Sequence, residues 1–187
     1  MSTPSHRQAG LSLIELVMFI VIVGVAVAGV LSVMNITTQH SADPMVRKQA
    51  LAIAEALLEE IELQPFTYCF PTDPLALTAS SASGCTGGVG GSEDTLPATA
   101  RVSSPRNANN VSDYTNFSMS PIVDITGSPI TGLGAYTASV SITQVGSSFP
   151  SVTNPNDVLK IDVRVVSGNT DISLTGYRFR YAPNAVP

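Results

Sequence analysis

Residues Leu11–Met34 read LSLIELVMFIVIVGVAVAGVLSVM, and Glu15 is the only ionisable side chain among them. At about 1.5 Å per residue, a helix of this length reaches roughly 36 Å, enough to cross a hydrocarbon core of about 30 Å. The apolar part of a cleavable secretory signal is shorter, roughly 7–15 residues, and ends in a small-x-small site. No such site closes this run. A plain signal anchor accounts for the length and gives no reason for Glu15. A carboxylate deep in such a helix costs about 2.5–3.5 kcal/mol, and residues of this kind are kept for function. His6-Arg7-Gln8-Ala9-Gly10 stands directly before the run, and Asp43 is the first charge after it. The positive-inside rule therefore puts the N-terminus in the cytoplasm and the bulk of the chain outside.

The whole chain has 187 residues and a formal charge of -5, with 12% charged residues. That length has room for one membrane segment and one modest domain. The 9 Lys and Arg are scattered, with no basic patch, so no nucleic acid is expected as a partner. Cys69 and Cys85 both fall in the exported part. An even count in an oxidising compartment points to a disulfide. It would close a loop of about 17 residues, worth roughly 3 kcal/mol in chain-entropy terms. With no histidine nearby, the same pair would leave a zinc site half-built, and neither a metal nor another cofactor is expected.

Beyond the apolar run, Asp43 suits an N-cap and Pro44 a first helical residue. Val46, Ala50, Ile53, Ala54, Leu57, Leu58 and Ile61 then recur at three- and four-residue spacing, one apolar stripe on a helix that ends near Gln64-Pro65. Either one long helix is kinked at Pro44 or two helices join there. Glu55, Glu59, Glu60 and Glu62 read as the solvated face of this helix rather than as an acidic site. His6 and His40 read as solvated or interfacial.

Residues 69–110 read as irregular, and the Ala/Ser/Thr/Gly-rich stretch Thr78–Gly91 as a surface loop. It lacks the GxxxxGK[ST] pattern of a phosphate cradle. Strands follow. Tyr136, Ala138, Val140 and Ile142 alternate with polar neighbours, as do Leu159, Ile161, Val163 and Val165. Ser167-Gly168-Asn169-Thr170 is a hairpin turn signal leading into a strand over Ile172–Tyr181. The apolar parity of that strand slips at Gly176, which predicts a bulge. A weaker strand is expected over Phe117–Ile125. Asn154-Pro155-Asn156-Asp157 lacks the regular acidic spacing of a calcium loop and reads as a turn. The expectation is an α+β fold, with an antiparallel sheet laid on the stripe Val46–Ile61.

Gly10, then Leu11-Ser12-Leu13-Ile14-Glu15-Leu16, then an unbroken apolar helix, resembles the class III signal of type IV pilins and pseudopilins. The resemblance implies a pilin-like fold: a long N-terminal helix, first membrane-spanning and then amphipathic, packed on a C-terminal antiparallel sheet. It implies cleavage between Gly10 and Leu11 by a prepilin peptidase, methylation of the new N-terminus at Leu11, and a role for Glu15 in filament assembly. Leu11 and Ser12 depart mildly from the family's usual Phe or Met followed by Thr. The implied organisation is a cleaved cytoplasmic leader at 1–10, an assembly helix at 11–34, its amphipathic continuation at 35–64, and a β-rich periplasmic domain at 65–187. A narrower likeness, over Leu16–Met34 and Ser41–Ile61, is to minor pilin-like subunits of MSHA-type pili.

The expected function is therefore that of a non-enzymatic pilus subunit, held in the inner membrane by one span and displayed on the cell surface after assembly. Its expected partners are prepilin peptidase, the other major and minor pilins, and the inner-membrane assembly platform. Small residues Gly24, Ala26, Ala28 and Gly29 would let helices approach closely, or are ordinary membrane-helix composition. A pseudopilin of a type II secretion system and a membrane-anchored adhesin module are the competing readings. No GxSxG or HExxH motif supports an enzyme.

Overall fold

The structure is a computed structural model that describes residues 12–94, 96–97, 100–102, 106–182 and 184, with side chains at all of these except 35–43. Among the described residues it is α+β, with one α-helix, short 3-10 turns and a four-stranded antiparallel sheet. Two compact units divide at Met1–Pro44 and Met45–Pro187.

Helix α1 runs over Leu13–Glu62, 50 residues, with Pro44 inside it. Of the two arrangements expected at Pro44, one long helix or two helices joined there, the chain has one helix that continues through the proline. Proline removes one backbone hydrogen bond, and flanking helical residues on both sides carry the helix past it. In the first unit, every side chain from Ser12 to Met34 is exposed. Leu13–Met34 is long and apolar enough to cross a membrane, as a membrane anchor or a signal sequence would.

In the second unit the helical stripe has a partner. Ala50, Ile53, Ala54, Leu57 and Ile61 are buried in one cluster with the sheet. The sheet is a meander: β1 (Ser118–Met119), β2 (Thr137–Gln144), β3 (Val158–Ser167) and β4 (Thr170–Phe179), in that order. Ala138, Val140 and Ile142 of β2 and Ile161, Val163 and Val165 of β3 point into the core. Those are the residues whose alternation marks the strands. Gly168-Asn169 forms the two-residue turn between β3 and β4, and Gly168 takes the positive φ of 55° that the first position of such a turn demands.

Two expectations about the sheet are corrected. The ladder between β3 and β4 pairs without interruption from Ser167↔Thr170 to Val158↔Phe179, so Gly176 is no bulge. Instead Gly176 is buried beneath the helix, where an added Cβ would collide with Glu62 and come within 3.0 Å of Leu58 Cδ1. The aromatic side chains Tyr177 and Phe179 lie on the opposite face, edge-on to Phe149 at 6.0 and 5.3 Å. The parity slip is thus a change in which face carries the apolar groups. The strand expected over Phe117–Ile125 is limited to Ser118–Met119, because Pro121 has no N–H to donate to a ladder. Beyond it, only a single bridge, Val123↔Pro129, continues strand-like pairing.

Candidate functional site

Glu15 lies in the first turn of α1, where its charge complements the helix dipole. Its side chain is exposed and forms no ion pair with another described residue. Gly10 and Leu11, the expected cleavage and methylation positions, lie outside the described residues. Gly24 and Gly29 have open space where a side chain would stand, so the helix surface around them, with Ala26 and Ala28, is accessible to close approach. Chemically, this segment offers one carboxylate on an otherwise uncharged apolar rod. It can receive a cation, and it can pack against other apolar helices.

Three charge clusters in the second unit are not revealed by local sequence patterns. In the first, Glu60 is half-buried rather than solvated, correcting its assignment to the wet helix face. Arg106 Nε stands 2.8 Å from Glu60 Oε1, and the Tyr114 hydroxyl donates to the same oxygen at 2.6 Å. Burial and then the hydrogen bond to Glu60 push the Tyr114 phenol well above its ordinary range. Glu62 is also half-buried, whereas Glu55 and Glu59 are exposed as expected.

The second cluster joins Glu93, Arg101, Ser112 and Asp113. Arg101 contacts Glu93, and its Nε donates to Asp113 Oδ1 at 2.6 Å. Asn110 caps the 3-10 turn Val111–Tyr114 by accepting from the Ser112 N–H, and Asp113 accepts from the Asn110 N–H in return. In the third cluster, Arg180 is buried between the rings of Phe66 and Tyr68, 4.1 and 4.4 Å from their centroids. Its Nη1 contacts Asp94 at 2.5 Å and Asp157 at 2.9 Å. Asn154-Pro155-Asn156-Asp157 is the turn it was expected to be, with Asn154 accepting from the Asn156 N–H.

Cys69 and Cys85 are joined as a disulfide, with Cα atoms 5.4 Å apart. Asp73 lies beside them, yet both sulfurs are committed to each other rather than to a metal. Asp73 instead accepts from the Leu75 and Thr86 N–H groups, and the Leu75 bond leads in holding its carboxyl below the ordinary range. An open cleft of about 320 Å³ lies between the helix and the 119–133 segment, lined by Ala52, Ala56, Met119, Ile122, Ile130 and Leu133 among others.

These features define an α+β protein with one N-terminal apolar helix of membrane-spanning length and a disulfide-bonded domain. Compared with protein-family models, curated proteins and solved structures, the chain finds no match.

Proposed function

We propose that this chain is a minor pilin-like structural subunit of a type IV pilus, taking part in pilus assembly or its initiation. The observation that carries the reading is the exposed Glu15 on an apolar helix that directly follows Gly10-Leu11. Prepilin peptidase cuts after Gly10 and methylates Leu11. In a lone subunit the Glu15 carboxylate is costly within the membrane. In the filament, the N-terminal ammonium of a neighbouring subunit offsets that cost, so pairing favours subunits that add in the correct register. Such a head-to-tail contact does not close on itself, and it builds helical filaments. The sequence over Leu16–Met34 and Ser41–Ile61 resembles the MSHA biogenesis protein MshD, which favours an MSHA-type pilus. The helix packed on an antiparallel sheet is compatible with this architecture.

A pseudopilin of a type II secretion system would use the same signal, and co-purified subunits separate the two. The test of the reading is Glu15→Ala expressed in the native host. The variant is expected to accumulate in the inner membrane with its domain folded and to be depleted from sheared fibres. Wild-type levels in the fibres would overturn the assembly role of Glu15.

A further inference from the structure

Glu93 is the largest buried acid in the domain, 1% exposed, and it sits where three segments meet. Its N–H donates to the Tyr68 carbonyl at 2.7 Å, next to the bridge between Cys69 and Ser92 at the base of the disulfide loop. Its Oε2 accepts from the Ser112 hydroxyl at 2.5 Å and contacts Arg101. Ser112 belongs to the capped 3-10 turn, which is tied to the end of α1 through the Val111 N–H and the Pro65 carbonyl at 3.0 Å. Arg101 lies over the Phe70 ring of the disulfide loop, 5.1 Å from its centroid.

The charges in this joint do not balance. Two buried carboxylates, Glu93 and Asp113, share one guanidinium, that of Arg101. Asp113 is well supplied, since it also accepts the N–H groups of Asn109 and Asn110 at 3.0 and 3.1 Å. Glu93 Oε1 is buried with no hydrogen-bond partner among the described residues. Asp94, the next residue along the chain, is paired with Arg180. An uncompensated buried charge costs more than a neutral carboxyl with one unpaired oxygen.

We propose that Glu93 is a proton-operated latch at the base of the disulfide loop. One proton from solvent settles on its free oxygen as the medium turns acid and closes the joint. Release of that proton at higher pH leaves a net negative charge in the joint and loosens it. Burial pushes the Glu93 carboxyl above its ordinary value and Asp113 adds to the rise, opposed by the Ser112 hydroxyl and Arg101. The folded chain therefore holds this proton more tightly than the unfolded chain. The stability it contributes is present below the ordinary glutamate range and is lost as pH rises through the folded-state value. The inference is independent of the filament reading.

The test uses the full chain in detergent micelles, with 13C-labelled glutamate and amide hydrogen exchange read from pH 4 to 8. The Glu93 carboxyl is expected to titrate above the ordinary glutamate range. Protection of the Glu93 and Arg101 amides, corrected for intrinsic exchange, is expected to fall about tenfold across that titration and to be flat with pH in Glu93→Gln. A Glu93 carboxyl that titrates within the ordinary glutamate range would overturn the latch, as would protection in the wild type that does not change with pH. Should Glu93→Gln fail to fold, the wild-type titration decides alone.

Discussion

Gly176 of β4 lies directly beneath Glu62 of α1, so close that a β-carbon on the strand residue would meet the glutamate carboxylate. The bare strand position leaves room there for the ends of Glu62 and Leu58. Gly176→Ala is expected to be mild, since the end of Glu62 can swing aside. Gly176→Val adds methyl groups beyond a Cβ that already stands against Glu62 and 3.0 Å from Leu58 Cδ1, and it is expected to cost about 1–3 kcal/mol through overpacking. Urea unfolding of the two variants checks this, and equal stability of wild type and Gly176→Val would contradict the close packing.

Arg180 and Arg164 both pair with aspartates, and the environment separates them. The Arg180 side chain is 1% exposed, between two rings and two carboxylates, whereas Arg164 and Asp171 are 57% and 51% exposed. Removing Arg180 leaves Asp94 and Asp157 without their cation. Arg180→Met is therefore expected to destabilise the domain by about 3–5 kcal/mol. Arg164→Ala is expected to cost less than about 1 kcal/mol. Thermal unfolding of both variants side by side makes the comparison.

The contrast between those arginines also shows where sequence reading stops. Strands β2 and β3 are legible because Val140, Ile142, Ile161 and Val163 alternate with polar neighbours, a purely local signal. The stripe from Ala50 to Ile61 is legible for the same reason, and the Cys69–Cys85 pair is legible from the even cysteine count. Arg180 and Glu60 are not legible. Their partners lie far along the chain: Phe66 and Asp94 for Arg180, Arg106 and Tyr114 for Glu60. Nothing in the local pattern distinguishes such a charge from a solvated one. Gly176 misleads because a small residue facing the helix and aromatic residues facing outward look, in sequence, like a slipped register. Gly10 and Leu11 lie outside the described residues, so the expected processing site is legible in sequence alone.

Tyr114 gives the domain an alkaline limit. Burial and the hydrogen bond to Glu60 raise its phenol, so the folded state holds the proton more tightly than the unfolded chain does. The stability it adds is complete below the ordinary phenol range and is lost as pH rises through the folded-state value. Tyr114→Phe is expected to be about 0.5–1.5 kcal/mol less stable near neutral pH. The gap to wild type should narrow in strong alkali. Unfolding midpoints followed from pH 7 upward check both, and a gap that widens with pH would contradict the assignment.

The proposed role requires that this chain be processed as a pilin before it functions. It is tested most directly by the intact mass and N-terminal sequence of the protein recovered from fibres and membranes of its native host. The expected chain begins at Leu11 and carries one added methyl group on its N-terminal amine. A chain recovered from assembled fibres with residues 1–10 still attached would contradict it.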